Sequence, residues 1–199
     1  MLLAKIYLID KSKELVEAWH QVFGDIEIFE IIEGDFFSKP ADAMVSPANS
    51  FGIMDGGLDL PIRNELGFEV EDRLQERIKS DFHGELPIGS AIVIPTSNSR
   101  WPYLISAPTM RIPEDISNTM NAYHAFRAIL NSVRLFNEST PTQRINSIVC
   151  PGLGTGIGNL PARRCAGHMR AAYNYLSKPP RIPSYKEIHE THRKLQITY

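Results

Sequence analysis

Residues 147–176 run SIVCPGLGTGIGNLPARRCAGHMRAAYNYL. SIVCP (147–151) is apolar and of strand length, and ARRCAGHMRAAYNYL (162–176) has the composition of a helix. Between them lies PGLGTGIGNLP, with glycine at 152, 154, 156 and 158. A buried strand, a glycine loop and a helix make one β–α unit. Alternating glycines permit positive φ and leave backbone N–H groups uncovered, so such a loop can form an anion-binding nest at a helix N-terminus. The phosphates of a nucleotide are natural guests. The spacing is not the dinucleotide-fold fingerprint, and no Gly-Lys-Ser/Thr follows as in a P-loop. A glycine-rich turn with no ligand is the competing reading.

The same alternation recurs in the rest of the chain. Residues 3–9, 26–32, 42–46, 91–95 and 103–108 are short apolar runs of strand length. Leu15, Val16, Trp19, Val22 and Phe23 fall at helical spacing after Asp10 and Ser12, and Gly24 ends that helix. Residues 60–82 predict a long amphipathic helix with Pro61 in its first turn and a break near Gly67. Residues 114–137 predict another. Strands that are apolar throughout, alternating with helices, point to an α/β fold with a parallel or mixed sheet covered on both faces. We expect one domain over residues 1–178, including the strand–helix unit 3–24. Residues 179–199 follow a Pro-rich break as a polar, helix-compatible appendage.

The chain has 199 residues, with 43% hydrophobic and 22% charged, which suits a folded domain and argues against disorder or a coiled coil. A net charge of −2 argues against nonspecific binding of nucleic acid. No apolar run approaches the roughly 18–20 residues of a membrane span, and the N-terminus reads as a strand rather than a signal peptide. Cys150 and Cys165 form neither a disulfide framework nor a zinc pattern, so a cytoplasmic setting is expected. Both read as core residues. His189 and His192 are three apart, not the four of a zinc-protease helix, and read as part of a solvated tail.

A second loop carries chemical groups: VSPANSFGIMDGGLD (45–59). It combines the amide of Asn49 with the carboxylates of Asp55 and Asp59, and Gly56 and Gly57 allow a ligand near the backbone. An amide and a carboxylate suit sugar hydroxyls, one orienting and the other accepting a proton. The alternative is that Asn49 and Asp59 cap turns and the next helix, since Asp59 stands where an N-cap is expected.

Together these loops resemble the macro domain family, the ADP-ribose-binding modules. The resemblance runs from about Ile31 to about Leu176. It is carried by EGDFF (33–37), ADAMVSPANS (41–50), GGLDLPI (56–62), GELPIGSA (84–91), LISAP (104–108) and PGLGTGIGNLP (151–161), in family order and spacing. It implies a three-layer α/β/α fold around a central mixed sheet. It implies that Asp35 accepts from the exocyclic amine of adenine, with Phe36 beside it. Gly56, Gly57, Leu58 and the segment Gly152, Gly154, Thr155, Gly156, Ile157 and Gly158 would wrap a diphosphate. Ala48 and Asn49 would meet the distal ribose, and Asp59 would position or activate water at its anomeric carbon. No metal or cofactor is implied. The partner would be ADP-ribose, or an ADP-ribosylated protein or small molecule.

The sequence also departs from the family pattern. Ser46 and Pro47 replace Asn and Ala of the family's Asn-Ala-Ala-Asn, the glycine run is shortened to Asp55-Gly56-Gly57, and no aromatic follows Ile157. Phe51, Met54, Tyr103 and Arg111 are available to close the distal pocket in its place. A hydrolase acting on ADP-ribose derivatives and a module that only binds them both remain open. Ligand preference for another nucleotide anion is a third possibility.

Overall fold

The computed structural model describes residues 5–197; positions 3 and 4 of the expected first strand lie outside the described residues. Strand β1 (Lys5–Asp10) leads into helix α1 (Lys13–Phe23), and β2 (Phe29–Glu33) follows. A short 3-10 turn at Phe36–Ser38 precedes β3 (Ala43–Ser46). Then come α2 (Asp59–Leu66), α3 (Glu69–Phe82), β4 (Ile92–Pro95), β5 (Tyr103–Ser106), α4 (Asn121–Ser139), β6 (Ser147–Cys150), α5 (Ala162–Leu176) and α6 (Tyr185–Ile197).

The strands form one six-stranded sheet in the order β2-β1-β6-β3-β5-β4. All neighbours are parallel except β4, which runs antiparallel to β5 at the edge. The sheet is therefore mixed, as expected. Alternate residues of each strand go to opposite faces. Ile6, Leu8, Val45, Ile105, Ile148 and Cys150 join Trp19, Phe23, Phe126 and Met169 under α1, α4 and α5. Ile9, Met44, Leu104 and Val149 join Ile62, Leu74 and Ile78 under α2 and α3. The result is three layers, α/β/α, with two apolar cores, one on each face of the sheet. Trp19 and Trp101 are both fully buried. No helix among the described residues is long and apolar enough to cross a membrane.

Two boundaries differ from the sequence-based expectation, and one break agrees with it. The strand expected over 26–32 starts at Phe29, because Phe29 N–H donates to Ile26 O at 3.0 Å and closes a turn. The break expected near Gly67 in the helical segment 60–82 is present, since Gly67 takes φ 100° between α2 and α3. The helix expected from 114 starts at Asn121. The residues before it serve the glycine loop instead: Ile116 is buried, and its N–H donates to Gly158 O at 2.9 Å.

Helix α6 packs on α5. Leu195 is its buried contact, and two carbonyls near its end take polar partners from α5: Leu195 O pairs with His168 Nε2 (2.9 Å) and Gln196 O accepts from Arg164 (3.2 Å). His189 and His192 are exposed on this helix.

Gly67 sits at φ 100°, ψ 149°, a region that residues with a Cβ occupy only under strain. An added Cβ would also meet the Glu69 carboxylate at 2.7 Å. Gly67→Ala is expected to lower stability by about 1–2 kcal/mol, read as a fall of several degrees in thermal melting.

Candidate functional site

Strands β6 and β3 are neighbours, yet α5 follows β6 onto one face and α2 follows β3 onto the other. Between their carboxyl ends the connections diverge and leave a crevice, the usual ligand position in an α/β sheet. A cavity of about 860 Å³ lies there. Its walls come from the end of β1, the segment after β3, the segment after β5 and the glycine loop after β6.

The loop after β3 is held by its own side chains. Asn49 Oδ1 accepts from Phe51 N–H (3.0 Å) and Ile53 N–H (3.3 Å), and Asn49 Nδ2 donates to Ile53 O (2.7 Å). Glu71 on α3 accepts from Met54 N–H (2.9 Å) and pairs with Arg63 (2.7 Å). Burial raises the Glu71 pKa, but that N–H and the guanidinium outweigh it and hold it below the ordinary value. Asp55, Gly56 and Gly57 form the exposed tip of the loop.

The loop after β6 is as tightly determined. Gly154 takes φ 75°, and its carbonyl accepts from Leu160 N–H at 3.0 Å. Gly152 N–H is already used, donating to Asp10 Oδ2 at 3.2 Å. Its glycine identity has a steric cause, since an added Cβ would run into Leu15 and the hydroxyl of Thr155. Gly156 and Ile157 are exposed at the tip. The Ile157 side chain lies 3.3 Å from where a Cβ on Gly57 would be, so the two loop tips nearly meet.

Among the described residues, those lining the cavity include four carboxylates, Asp10, Glu14, Asp55 and Asp59, and no Lys, Arg or His. Positive potential comes instead from the backbone. The N-termini of α1, α2 and α5 all open at this edge of the sheet, where helix dipoles and uncommitted N–H groups favour an anion.

Asp59 is the one buried carboxylate among them, 8% exposed. It is the first residue of α2 with Leu58 in the cap position, so the N-cap reading does not hold. Its Oδ1 accepts instead from the Ser46 hydroxyl at the end of β3. Burial pushes its pKa up to about 6; the Ser46 hydrogen bond opposes this, and the nearby Glu71 and Asp55 charges add to it.

Most of the residues expected from the sequence meet at this cavity. Ala48, Asn49, Gly56, Gly57, Leu58, Asp59, Gly152, Gly154, Thr155, Gly156, Ile157 and Gly158 all line it. Asp35 and Phe36 do not. Phe36 is buried in the core beneath α2 and α3, edge-on to Phe37. Asp35 is exposed at the start of the 3-10 turn, 3.8 Å from Lys11. Its neighbour Gly34 donates its N–H to Asp10 O, which puts Asp35 just outside the β1 end of the cavity.

The side chains suggested to close the distal pocket do not line it either. Met54 is fully buried, Arg111 lies over Phe51 and pairs with Glu85, and Tyr103 meets Gln143. Ile53, Met110 and Pro113 line it instead. Asp10, Ser12 and Glu14 were not expected as wall residues. Asp10 and Ser12 read as helix-capping groups in the sequence, and Ser12 is indeed the N-cap. Only the packing of α1 beside the glycine loop turns them to the cavity.

Cys150 and Cys165 are fully buried, and burial pushes the Cys165 thiol up to about 12 and Cys150 well above its ordinary value. Both therefore stay protonated and unreactive at neutral pH. No group of three or more His, Cys, Asp or Glu among the described residues is placed to hold a metal ion.

The raised Asp59 pKa has a consequence for stability. The folded protein keeps this proton up to about pH 6, whereas the unfolded chain loses it near the ordinary 3.8. The folded state therefore binds more protons between these values, and stability falls as pH rises through that window. Asp59→Asn is expected to be roughly 1–3 kcal/mol more stable than the parent above about pH 7, with the difference shrinking toward about pH 4.5. Urea unfolding at the two pH values measures it.

The Macro domain family model matches residues 45–169. The chain is 30% identical over 140 residues to an uncharacterized protein of Aquifex aeolicus, covering 70% of this chain and 77% of that protein. A variant of the Oceanobacillus iheyensis macrodomain, solved with ADPR, superposes with a TM-score of 0.61 at 20% identity, over 81% of this chain and 88% of that one. The Thermosipho africanus DarTG structure in complex with ADP-ribose gives 0.56 at 20% identity, over 90% of this chain and 55% of that one. With the family match running from the end of β3 to the middle of α5, across both loops that build the cavity, the chain belongs to the Macro domain family.

Proposed function

We propose that the cavity binds ADP-ribose or a derivative of it, and that the protein hydrolyses a group attached to the distal ribose. An ADP-ribosyl hydrolase or an O-acetyl-ADP-ribose deacetylase fits this description. The observation that carries the hydrolytic part is Asp59: the one buried carboxylate on the cavity wall, at a helix start and held by Ser46. The ligands in the Oceanobacillus and Thermosipho structures support the choice of nucleotide.

In this reading the diphosphate lies between Gly56-Gly57 and Gly154–Gly158, neutralised by amides and helix N-termini instead of cations. Adenine points toward the β1 end, where Asp35 accepts from its exocyclic amine. The distal ribose lies by Asn49 and Asp59. At neutral pH Asp59 is ionised and takes a proton from water as its oxygen attacks. When the attack is at the anomeric carbon of an ADP-ribosyl bond, the bond to the attached group breaks; when it is at the carbonyl of an ester, the bond from acyl carbon to ribose oxygen breaks. The proton held by Asp59 then passes to the departing group. At the anomeric carbon the same negative charge stabilises an oxocarbenium-like transition state.

One observation favours the non-catalytic alternative. The Asn49 side chain already spends its oxygen and one N–H on its own loop. One N–H remains for a ribose hydroxyl, so Asn49 chiefly shapes the loop, and a module that only binds the nucleotide would need no more of it.

We assign this function to residues 1–178, with 179–199 as an appendage. We place the protein in the cytoplasm, consistent with two buried, unpaired cysteines.

Calorimetric titration with ADP-ribose is expected to give micromolar affinity, on the order of −8 kcal/mol. Asp35→Ala should weaken it. Gly156→Ala gives a sharper test. A Cβ there meets nothing within 4 Å in the protein, so the variant should fold normally. It should nevertheless lose about tenfold or more in affinity, because the methyl occupies space assigned to phosphate. Unchanged binding in Gly156→Ala would remove the loop from the ligand site. Asp59→Ala should abolish turnover of an ADP-ribosyl peptide or of O-acetyl-ADP-ribose and largely spare binding.

A further inference from the structure

The face that β3 and β5 turn toward α2 and α3 is apolar until the last residue of each strand. Met44 and Leu104 are register partners in that core. Two residues on, Ser46 and Ser106 are also register partners, and each is fully buried. Both hydroxyls thus stand on the face where the preceding residues make apolar contacts, and Ser46 lies against the first residue of α2. A buried hydroxyl without a partner costs about 1–3 kcal/mol, so a serine pair here is not explained by packing. The two differ in one respect. Ser46 Oγ donates to Asp59 Oδ1, whereas Ser106 Oγ has no hydrogen-bond partner among the described residues.

We infer that Ser46 is a positioning residue for Asp59, fixing one carboxylate oxygen beneath α2 and leaving the other for the cavity. The inference rests on the proposed function, in which Asp59 acts at the distal ribose. It gives a purpose to Ser46, which stands where the family resemblance leads one to expect Asn.

The physical logic is a competition. The charged groups around Asp59 are the Glu71 carboxylate on α3, paired with Arg63 on α2, and the Asp55 carboxylate at the loop tip. Burial and these two like charges favour the neutral acid. The neutral form cannot serve as a base. The Ser46 hydroxyl donates its hydrogen to a group that accepts best when ionised, so it favours the carboxylate. It also restricts the rotation of that carboxylate. A side chain at the end of a central strand is a rigid platform for this, since its backbone is held by parallel pairing to β5.

The test is a carbon-13 NMR titration of the Asp59 carboxyl, assigned by its loss in Asp59→Asn, together with turnover and ADP-ribose affinity. Ser46→Ala should move the titration midpoint up by about one pH unit. It should lower turnover about tenfold near pH 5 and about twofold near pH 7, following the ionised fraction of Asp59, with affinity for ADP-ribose within about twofold of the parent. Ser46→Thr should restore both. Ser106→Ala, which removes an equally buried hydroxyl from the next strand, should change neither.

An unchanged midpoint in Ser46→Ala, or an equal shift in Ser106→Ala, would overturn the inference. A midpoint that shifts only on loss of Ser46, in a protein that cleaves no ADP-ribosyl substrate, would overturn the hydrolase reading and leave the Ser46–Asp59 coupling standing. If Ser46→Ala does not fold, Ser46→Cys carries the same test, with a thiol that donates more weakly in nearly the same volume.

Discussion

Adjacent strands β6 and β3 release the chain to opposite faces of the sheet, and the site depends on that divergence. Had both following helices packed on one face, the connections would have run side by side over the sheet edge. Instead the loop after β6 turns toward α5 and the loop after β3 turns toward α2, and the space between them stays open. The helices cannot choose otherwise, because each buries an apolar stripe against its own core. Ile62 of α2 belongs to one core, and Cys165, Ala166 and Met169 of α5 belong to the other. The hydrophobic partition thus sets the position of the cavity before any polar group is considered.

The polar design of the cavity follows from what the sheet edge supplies. Three helix starts and two glycine-bearing loops provide positive potential without a cationic side chain on the wall. Such a site is fixed in geometry, because amides cannot swing away as lysines do. That fixity has to be built, and the loops are full of devices that build it. Asn49 folds the first loop on itself, Glu71 pins it to α3, and Ile116 with Asp10 pins the second. Several residues that resemble ligand contacts in the sequence are first of all such devices. Gly152 and Asn49 line the cavity, yet their polar groups are largely committed to the protein.

The fold was largely legible in the sequence because strands buried on both faces are apolar throughout, as in SIVC, and because glycine loops punctuate them. What was not legible has consistent causes. The start of α4 is not legible because residues 114–120 have helix-compatible composition, and only the contact of Ile116 with Gly158 commits them to a loop. Asp59 was read as having either a catalytic or a capping role, and local spacing cannot separate them. The distinction lies in a hydroxyl thirteen residues away in sequence, on the end of β3. Asp10 gave no signal as a wall residue because a strand-end aspartate before an N-cap serine is an ordinary local motif.

The α/β class, the order of the elements and the two loops on which anion binding and a carboxylate could sit are written in the order of the residues. These are set by short-range patterns: apolar runs, helical spacing and the backbone freedom of glycine. Which carboxylate is withdrawn from water, which hydroxyl holds it, and which strand ends share its cavity follow only from long-range packing. Burial, and with it the protonation of Asp59, depends on groups brought together from β3, α2, α3 and the 55–57 loop tip. Those proximities arise only when the parallel sheet aligns the ends of β1, β6 and β3 along one edge.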